Sequence, residues 1–464
     1  MVAIGVMAVA LVAALAVGNL APTTATGTAA SAPAWLQAVE TGQDHIEPRE
    51  LAREILAAPK DLVLVDLRPA EEFAGFHLPG AVNLTVPQVC GDEGKALFAA
   101  NPRLVVLYSN GPAHPGQAWV ELKRQGRDNV KVLAGGLDDF KAQVLTPPSL
   151  REGATEAGSK AAAPEQALVQ AFFLGDPKPN PLAAWATDPA ELTRPTMVSP
   201  RWLHERLDRT VVLDLRSAEE YAALHVPGAL PLSLAKIRQK HGDRDLFFVP
   251  DPQLAAHFGG LGITRSTPVV IYADAKFQDA TMAAVALLRL GHEKLAILEG
   301  GILRWATERR PLVAAATTPK PATYEPAPGA SAFAIEIDEL AAKVAAGGTP
   351  ILDVRPPEFF RGEKTTEARA GHIPGAKNRV FSKDLTRTAD GQWLRPRAEL
   401  EREYAALGIT EDQPLVVHCR TGHTATETWF VLRHLLGHEH VRYYQGSWTE
   451  WAERADLPAV TGEK

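Results

Sequence analysis

Residues 415–425 read LVVHCRTGHTA, a short apolar run that ends in a cysteine and a glycine-containing turn. The run predicts a buried parallel strand, and the spacing of apolar residues over 429–436 predicts a helix packed against it. Cys419 would then lie at the mouth of a tight loop, where backbone amides and the positive end of a helix favour the thiolate over the thiol. We therefore predict that Cys419 is an activated nucleophile rather than an inert core residue.

The strand and loop belong to a unit that occurs three times in the chain. Each copy has an Asp-x-Arg strand end, a His-x-Pro-Gly-Ala turn, a second strand ending in a loop and a third ending in a glycine turn. Strands alternating with helices at this period predict parallel sheets that bind ligands at the carboxyl ends of their strands. The loops begin at Ser109, Asp274 and Cys419, and 27 residues further on come Gly136, Gly301 and Gly446.

The repeat divides the 464 residues into an α/β protein of three α/β/α domains, each with a central, mostly parallel sheet. Linkers rich in Ala, Pro and Gly separate the copies, and the first linker is predicted to contain a helix over 165–173. The predicted segments are a leader or anchor at 1–34, module one at 40–146, a linker at 147–193, module two at 194–313, a linker at 314–329 and module three at 330–460.

Composition narrows the possible partners and the location of the protein. The formal charge of -7, without a basic arm or stripe, argues against a nucleic-acid partner. The only two cysteines, Cys90 and Cys419, rule out a disulfide framework, and Cys90 lies away from its loop and is predicted to be structural. The uncharged apolar run 2–17 predicts either an export signal or, extended over 2–21, a membrane anchor, so the protein is expected to be exported, periplasmic or anchored, with membrane contact through this segment only.

The three ordered signatures, together with the Cys-x-x-Gly-x-Thr loop of module three, resemble the rhodanese family of sulfurtransferases over almost all of residues 44–460. Modules two and three are similar to the tandem thiosulfate sulfurtransferases, in which an inactive module packs on an active one. Module one is an addition to that two-module pattern. The Asp-x-Arg pairs occur in every copy, so we interpret them as structural ion pairs at strand ends.

The resemblance implies a sulfur transfer without a cofactor. Cys419 would take sulfane sulfur from a donor as a persulfide and pass it to cyanide, a small thiol or a protein thiol. Arg at position 420 goes with thiosulfate in the family, and a guanidinium suits a sulfonate. An insert found only in module three carries arginines that the resemblance assigns to anion binding. The implied substrate-binding residues are Arg420, Thr421, Gly422, His423, Thr424, Arg369 and Arg361.

Other classes of function stay open at this stage. A cysteine phosphatase or arsenate reductase has a similar strand, cysteine and helix, but requires an arginine where this chain has Ala425. A non-enzymatic or carrier-type protein of a sulfur relay is the second alternative, with module one as a docking surface. His423 could add positive charge or contact the acceptor, or be an ordinary surface residue. The pair His438 and His440 is not expected to bind a metal.

Overall fold

The computed structural model describes residues 34–151, 153–274 and 276–463. The described chain forms two compact units, one made of residues up to 174 together with 311–313, and the other of residues 175–310 and 314–463. The predicted leader at 1–34 lies outside the described residues except for its last position. Within the described ranges, no helix is both long enough and apolar enough to cross a membrane.

Unit one contains a five-stranded parallel sheet with helices around it. Its strands follow the order β1-β5-β4-β2-β3. The helix predicted in the first linker is present and runs from Glu156 to Leu174. The elements are α1 Ala34–Glu40, β1 His45–Ile46, α2 Pro48–Ala57, β2 Leu62–Asp66, α3 Ala70–Gly75, β3 Val82–Asn83, α4 Val86–Cys90, α5 Asp92–Ala99, β4 Leu104–Tyr108, α6 Ala113–Arg124, β5 Val130–Leu133, α7 Gly136–Phe140 with a π turn at Lys141–Leu145, and α8 Glu156–Leu174.

The amino-terminal half of unit two, module two, repeats this parallel sheet in the order β6-β12-β11-β7-β8 and adds an antiparallel hairpin, β9 with β10. The elements are β6 Thr196–Val198, α9 Pro200–His204, β7 Val211–Asp214, α10 Ala218–Ala223, β8 Leu230–Pro231, β9 Arg238–His241, β10 Arg244–Phe248, α11 Asp251–Gly260, β11 Val269–Tyr272, α12 Phe277–Arg289, β12 Leu295–Leu298 and α13 Gly301–Thr307.

Module three has the same strand order, β14-β13-β17-β18, and a single parallel bridge from Ala334 to Tyr443 in place of the fifth strand. It too has a hairpin, β15 with β16. The elements are α14 Ile337–Ala346, β13 Ile351–Asp353, α15 Pro357–Phe360, β14 Ala376–Asn378, a 3-10 turn at Phe381–Asp384, β15 Leu385–Thr388, β16 Gly391–Leu394, α16 Arg397–Ala406, β17 Leu415–His418, α17 Ala425–Phe430 with a π turn at Val431–Leu435, β18 Val441–Tyr443 and α18 Ser447–Glu453. The three sheets confirm the predicted fold class.

Modules two and three share one hydrophobic core. Helix α12 of module two packs on α17 of module three, the helix that follows the Cys419 loop. The hydroxyls of Thr281 on α12 and Thr426 on α17 lie 2.9 Å apart and are both fully buried. Because α12 presents small side chains such as Ala283 and Ala284, the two helices can approach closely. The Cys419 loop is therefore supported from behind by the neighbouring module.

The Asp-x-Arg pairs are buried strand-end ion pairs in all three modules, as predicted. Each guanidinium donates hydrogen bonds to the carboxylate two residues earlier and also to a backbone carbonyl of the following turn. The pairs are Arg68 with Asp66, Arg216 with Asp214 and Arg355 with Asp353, each with a closest distance of 2.6 Å. Their recurrence in the modules without a thiol confirms a structural role.

Candidate active site

Cys419 directly follows β17 at the carboxyl edge of the sheet and is only 2% exposed. Its amide donates to the hydroxyl of Ser447 at 3.1 Å, and its carbonyl accepts from the amide of Trp448 at 3.0 Å. Both partners belong to the start of α18. The backbone of the cysteine is thus tied on both sides to the neighbouring strand-to-helix turn, which fixes the direction of its side chain.

The carbonyls of the loop after Cys419 turn outward to protein donors. The Tyr443 hydroxyl donates to the carbonyl of Gly422 at 2.9 Å, and a guanidinium nitrogen of Arg238 donates to that of Thr421 at 2.7 Å. Gly422 has φ +77°, and a Cβ there would lie 2.4 Å from the carbonyl oxygen of Gln445. Within the described chain, the amides of residues 420–424 donate to no protein acceptor. The loop therefore offers a set of free amide donors.

Ser447 is a site residue that the sequence comparison missed. It has φ 54° although it is not glycine, and its hydroxyl donates to the carbonyl of Tyr444 while accepting from Cys419. The amide after Gly136 bonds the carbonyl of Ser109 in module one, just as the amide after Ser447 bonds that of Cys419. Ser447, and not Gly446, is therefore the structural counterpart of Gly136. The extra residue of module three lies between its paired strands, because Leu107 pairs with Val132 but Val417 pairs with Tyr443. The strand register also makes Ala273, and not Asp274, the counterpart of Cys419.

A cleft of 430 Å³ opens above Cys419 between modules two and three. Four arginines line it, and two of them lie on the β9–β10 hairpin of module two. Phe381 contributes an apolar wall. The complete lining consists of Arg238, Arg244, Asp245, Arg355, Pro356, Phe381, Cys419, Arg420, Thr421, His423 and Thr424.

Glu367, from the insert of module three, holds two of these arginines together. Its side chain is only 4% exposed and accepts from Nε of Arg420 at 2.8 Å. It also pairs with Arg244 of module two, and the hydroxyl of Thr449 donates to it at 3.1 Å. Since the Arg420 side chain is itself 45% exposed, this carboxylate fixes an otherwise mobile cation at the rim of the cleft.

His423 faces module two as well as the cleft. Its Nε2 lies 2.8 Å from a carboxylate oxygen of Asp279 on α12, so a protonated His423 would form an ion pair with it. Its carbonyl accepts from the hydroxyl of Thr426, in the first turn of α17, at 2.7 Å. The predicted loop residues Arg420, Thr421, His423 and Thr424 all line the cleft with Cys419.

The two insert arginines are placed away from the cleft. Arg369 donates to four backbone carbonyls, those of Ala452, Trp451, Arg454 and Leu457, and so fixes the end of α18 and the segment that follows. Arg361 pairs with Glu363 on the surface. Neither lines the cavity above Cys419, so the positions expected to bind an anion are instead taken by arginines of the module two hairpin. Their place in the insert was visible in the sequence, but the direction of their side chains was not.

A buried polar cluster lies behind the active loop. Arg379 pairs with Asp384, to which the hydroxyl of Tyr404 donates at 2.7 Å, and Arg379 also binds Glu403 at 2.9 Å. Glu427, on α17, is fully buried beside this cluster, and in the described structure neither of its carboxyl oxygens has a hydrogen-bond partner. Burial, and then the charge of Asp384, raises the pKa of Glu427 well above its usual value.

The equivalent loops of modules one and two carry no thiol. In module two, the loop at Ala273 and Asp274 borders a cavity of only 20 Å³, which is also lined by Gln392 and Trp393 of the β15–β16 hairpin. In module one, the hydroxyl of Ser109 donates to the carbonyl of Gly111 at 2.6 Å. Cys90 is half-buried, and burial raises the pKa of its thiol, as suits a structural role. Among the described residues, no group of His, Cys, Asp and Glu could hold a metal ion.

A family model described as the rhodanese-like domain matches the chain three times, over residues 47–143, 199–308 and 336–454. The chain belongs to the rhodanese family. The modules two and three that frame the cleft, and module one of unit one, are each covered by one of these matches. The family assignment made from the repeated motifs is thereby confirmed.

Several bacterial members of the family are similar in sequence. A sulfur carrier protein, TtuD, from Thermus thermophilus is 35% identical over 282 residues, which are 58% of this chain and 97% of that protein. A thiosulfate sulfurtransferase from Corynebacterium glutamicum is 33% identical over 282 residues, 58% of this chain and 91% of that protein. A thiosulfate sulfurtransferase from Azotobacter vinelandii is 32% identical over 274 residues, 57% and 96% of the two chains.

A longer match is found among solved structures. The anaerobic ergothioneine biosynthesis enzyme from Chlorobium limicola, solved in complex with trimethyl histidine, covers 90% of this chain and 99% of its own. The TM-score is 0.52 and the sequence identity 21%. At this identity the likeness concerns the fold alone.

Proposed function

We propose that this rhodanese-family protein is a sulfurtransferase that moves sulfane sulfur from thiosulfate to a nucleophilic acceptor through a persulfide on Cys419. The observation that carries the proposal is the loop itself: a buried cysteine surrounded by amides that donate to no protein acceptor, beneath a cleft lined with arginines. Such donors stabilise a negatively polarised sulfur. Sulfurtransferase names among the relatives support the class of reaction.

The transfer takes place in two displacements. The thiolate of Cys419 attacks the outer sulfur of thiosulfate, the sulfur–sulfur bond of the donor breaks, and sulfite leaves with the bonding electron pair. Cyanide or a thiolate then attacks the outer sulfur of the persulfide and releases thiocyanate or a new persulfide, which restores the Cys419 thiolate. Both steps balance without a metal, an oxidant or a cofactor.

Arg420 is the residue proposed to meet the sulfonate of thiosulfate at the rim of the cleft. Its Nε is held by Glu367, so the remaining guanidinium nitrogens can point towards a bound donor. Thr421 and Thr424 line the same cleft, and Gly422, with its positive φ, forms the turn of the loop that carries the unpartnered amides. His423 lies beside Asp279, which limits the positive charge it adds to the site.

Intact-protein mass spectrometry tests the proposal. After incubation with thiosulfate, the parent protein should gain one sulfur atom and lose it again on addition of cyanide, whereas Cys419→Ser should gain none. The matched control is Cys90→Ser, which leaves the Cys419 loop intact and should behave as the parent does. If the parent gains no sulfur while its Cys419 thiol stays alkylatable, thiosulfate is not the donor.

A carrier role is the second candidate, because one relative is a sulfur carrier and the cleft is wider than cyanide requires. A carrier would load with sulfur but discharge slowly to cyanide and quickly to a protein thiol. The proposal also places the protein outside the cytoplasm, which is supported only by the apolar run 2–17. Fractionation of cells that express the full chain tests this location.

A further inference from the structure

Arg238 belongs to module two but lies at the Cys419 site of module three. It is the first residue of β9 in the module two hairpin, is 7% exposed and lines the cleft. One guanidinium nitrogen donates both to the carbonyl of Leu246 across the hairpin, at 3.0 Å, and to the carbonyl of Thr421 in the active loop, at 2.7 Å. The thiol-less module thus holds the loop of the thiol-bearing one directly.

The charge of Arg238 has no carboxylate partner among the described residues. Its Nε is buried without a hydrogen-bond acceptor. The other cleft arginines are paired: Arg244 and Arg420 share Glu367, and Arg355 binds Asp353. Asp245 also lines the cleft but forms no ion pair with Arg238. A buried cation left with neutral carbonyls alone is costly unless an anion completes its environment.

The hairpin of module three provides a natural comparison. Its first residue, at the position equivalent to Arg238, is Leu385, and this hairpin covers the loop of module two that has no cysteine. Both hairpins are pairs of short antiparallel strands, and the module two hairpin has a register shift between Asp245 and Phe247. The buried positive charge is therefore present only on the hairpin that covers a thiol.

We propose that Arg238 is the anion-binding residue of the Cys419 site, contributed by the inactive module. It would bind an oxyanion of the incoming sulfur donor and, through the Thr421 carbonyl, hold the loop so that its amides face the sulfur. The inference rests on the proposed sulfur transfer only for the identity of the donor. The anion preference of the site stands independently of it.

Alkylation of Cys419 measures this preference without requiring turnover. Iodoacetate is an anion and iodoacetamide is its neutral analogue, so the ratio of their rates reports positive charge beside the thiolate. The variants are Arg238→Gln, Arg238→Lys and, as a matched control, Lys240→Gln, which removes one exposed positive charge from the same strand. Each is compared with the parent in the Cys90→Ser background, together with its KM for thiosulfate.

In Arg238→Gln the ratio of the iodoacetate rate to the iodoacetamide rate should fall about tenfold, and KM for thiosulfate should rise more than kcat falls. Arg238→Lys should keep most of the ratio, and Lys240→Gln should leave it as in the parent. Iodoacetamide serves as the internal check on folding, because an opened loop would react faster with both reagents.

An unchanged ratio in Arg238→Gln would overturn the proposal, as would an equal fall in Lys240→Gln, which would point to the general field of the protein. These failures are distinct from failure of the proposed function. A parent that prefers iodoacetate yet takes no sulfur from thiosulfate would keep the anion site and reject the donor.

Discussion

Modules two and three have the same architecture, but the space above their equivalent loops differs. Each covers the loop of the other with a two-stranded hairpin, yet a cleft of 430 Å³ remains above Cys419 and only 20 Å³ beside Asp274. The smaller volume has room for about one water molecule. Trp393 lines the cavity at the module two loop, whereas the hairpin over the Cys419 loop carries Arg238 and Arg244. We therefore expect activity to depend on which hairpin covers a loop as well as on the cysteine in it.

The polar interior shows the same asymmetry. Module three buries Arg379, Asp384, Tyr404 and Glu427 behind its active loop. At the equivalent positions module two has apolar side chains that belong to the shared core, namely Leu232, Ile237, Phe258 and Met282. Burying polar side chains lowers stability unless each of them has a hydrogen-bond partner. The carboxyl oxygens of Glu427 have none among the described residues.

The most direct test of this difference is to move the cysteine from the loop of module three to the loop of module two. Ala273 is the counterpart of Cys419, because Tyr272 pairs with Asp214 as His418 pairs with Asp353. In a protein that carries both Cys419→Ser and Ala273→Cys, we expect no persulfide after thiosulfate treatment and a complete loss of turnover. The reason is that the module two loop faces the closed 20 Å³ cavity and Trp393 rather than an arginine-lined cleft. Mass spectrometry of the double variant checks this. Sulfur on the introduced thiol would show that the position of the cysteine alone confers activity.

Gly422→Ala should strain the active loop without touching the thiol. A Cβ at φ +77° would lie 2.4 Å from the carbonyl of Gln445 and 2.5 Å from the hydroxyl of Tyr443, so the loop must shift. We expect the rate of persulfide formation to fall roughly 10²-fold, the usual consequence of misplacing catalytic groups by about 1 Å. Stopped-flow loading with thiosulfate measures it.

The matched control for this variant is Gly375→Ala. It alters a glycine with φ +79° and no atom within 4 Å of its Cβ, in a turn outside the cleft. Its backbone strain should lower stability but leave the loading rate of the folded protein near that of the parent. Equal losses in the two variants would attribute the effect to general destabilisation rather than to the loop.

Glu427→Met, which copies Met282 of module two, should stabilise the protein. The pKa of Glu427 is raised in the folded state by burial and by Asp384, and Arg379 only partly opposes this. The folded state therefore holds its proton more tightly than the unfolded state, and stability falls as pH rises above the ordinary glutamate pKa of about 4.5 towards the raised value. Each unit of that rise costs about 1.4 kcal/mol.

We accordingly expect Glu427→Met to gain about 1–3 kcal/mol at pH 8, and the gain to shrink as pH falls towards about 4.5. Urea unfolding at several pH values measures it. Glu427→Gln should show the same pH dependence of the stability difference from the parent, because it also removes the carboxyl group, but it lacks the added apolar packing of methionine. A loss of stability in both variants at pH 8 would mean that the carboxyl group has a partner that these contacts do not reveal.

The repeated motifs were sufficient to predict three parallel sheets, the buried Asp-x-Arg pairs and a loop at the carboxyl end of β17. These features follow from local patterns that recur in each copy, so the copies support one another. The placement of Arg238 could not be predicted in this way, because it depends on how two modules pack. The equivalent residue in the module three hairpin is Leu385, and neither residue belongs to a motif that the three copies share.

Two other differences have local causes. Arg369 and Arg361 were assigned to anion binding from their position in the insert, but backbone carbonyls after α18 attract the first and Glu363 the second. Ser447 was passed over because a spacing of 27 residues aligned Gly446 with the glycines of the other copies. Ser447, and not Gly446, has the positive φ in this turn, and a positive φ is not expected at a serine from the sequence alone.

The core shared by modules two and three determines what can be lost from the chain. Because α12 and α17 bury Thr281 and Thr426 against each other, neither module has a finished interior by itself. Modules two and three should therefore unfold together in one cooperative transition. Deletion of either module would expose to water the apolar surface that the other module now buries. Module two is therefore needed even without a nucleophile, because its side chains complete the interior of module three.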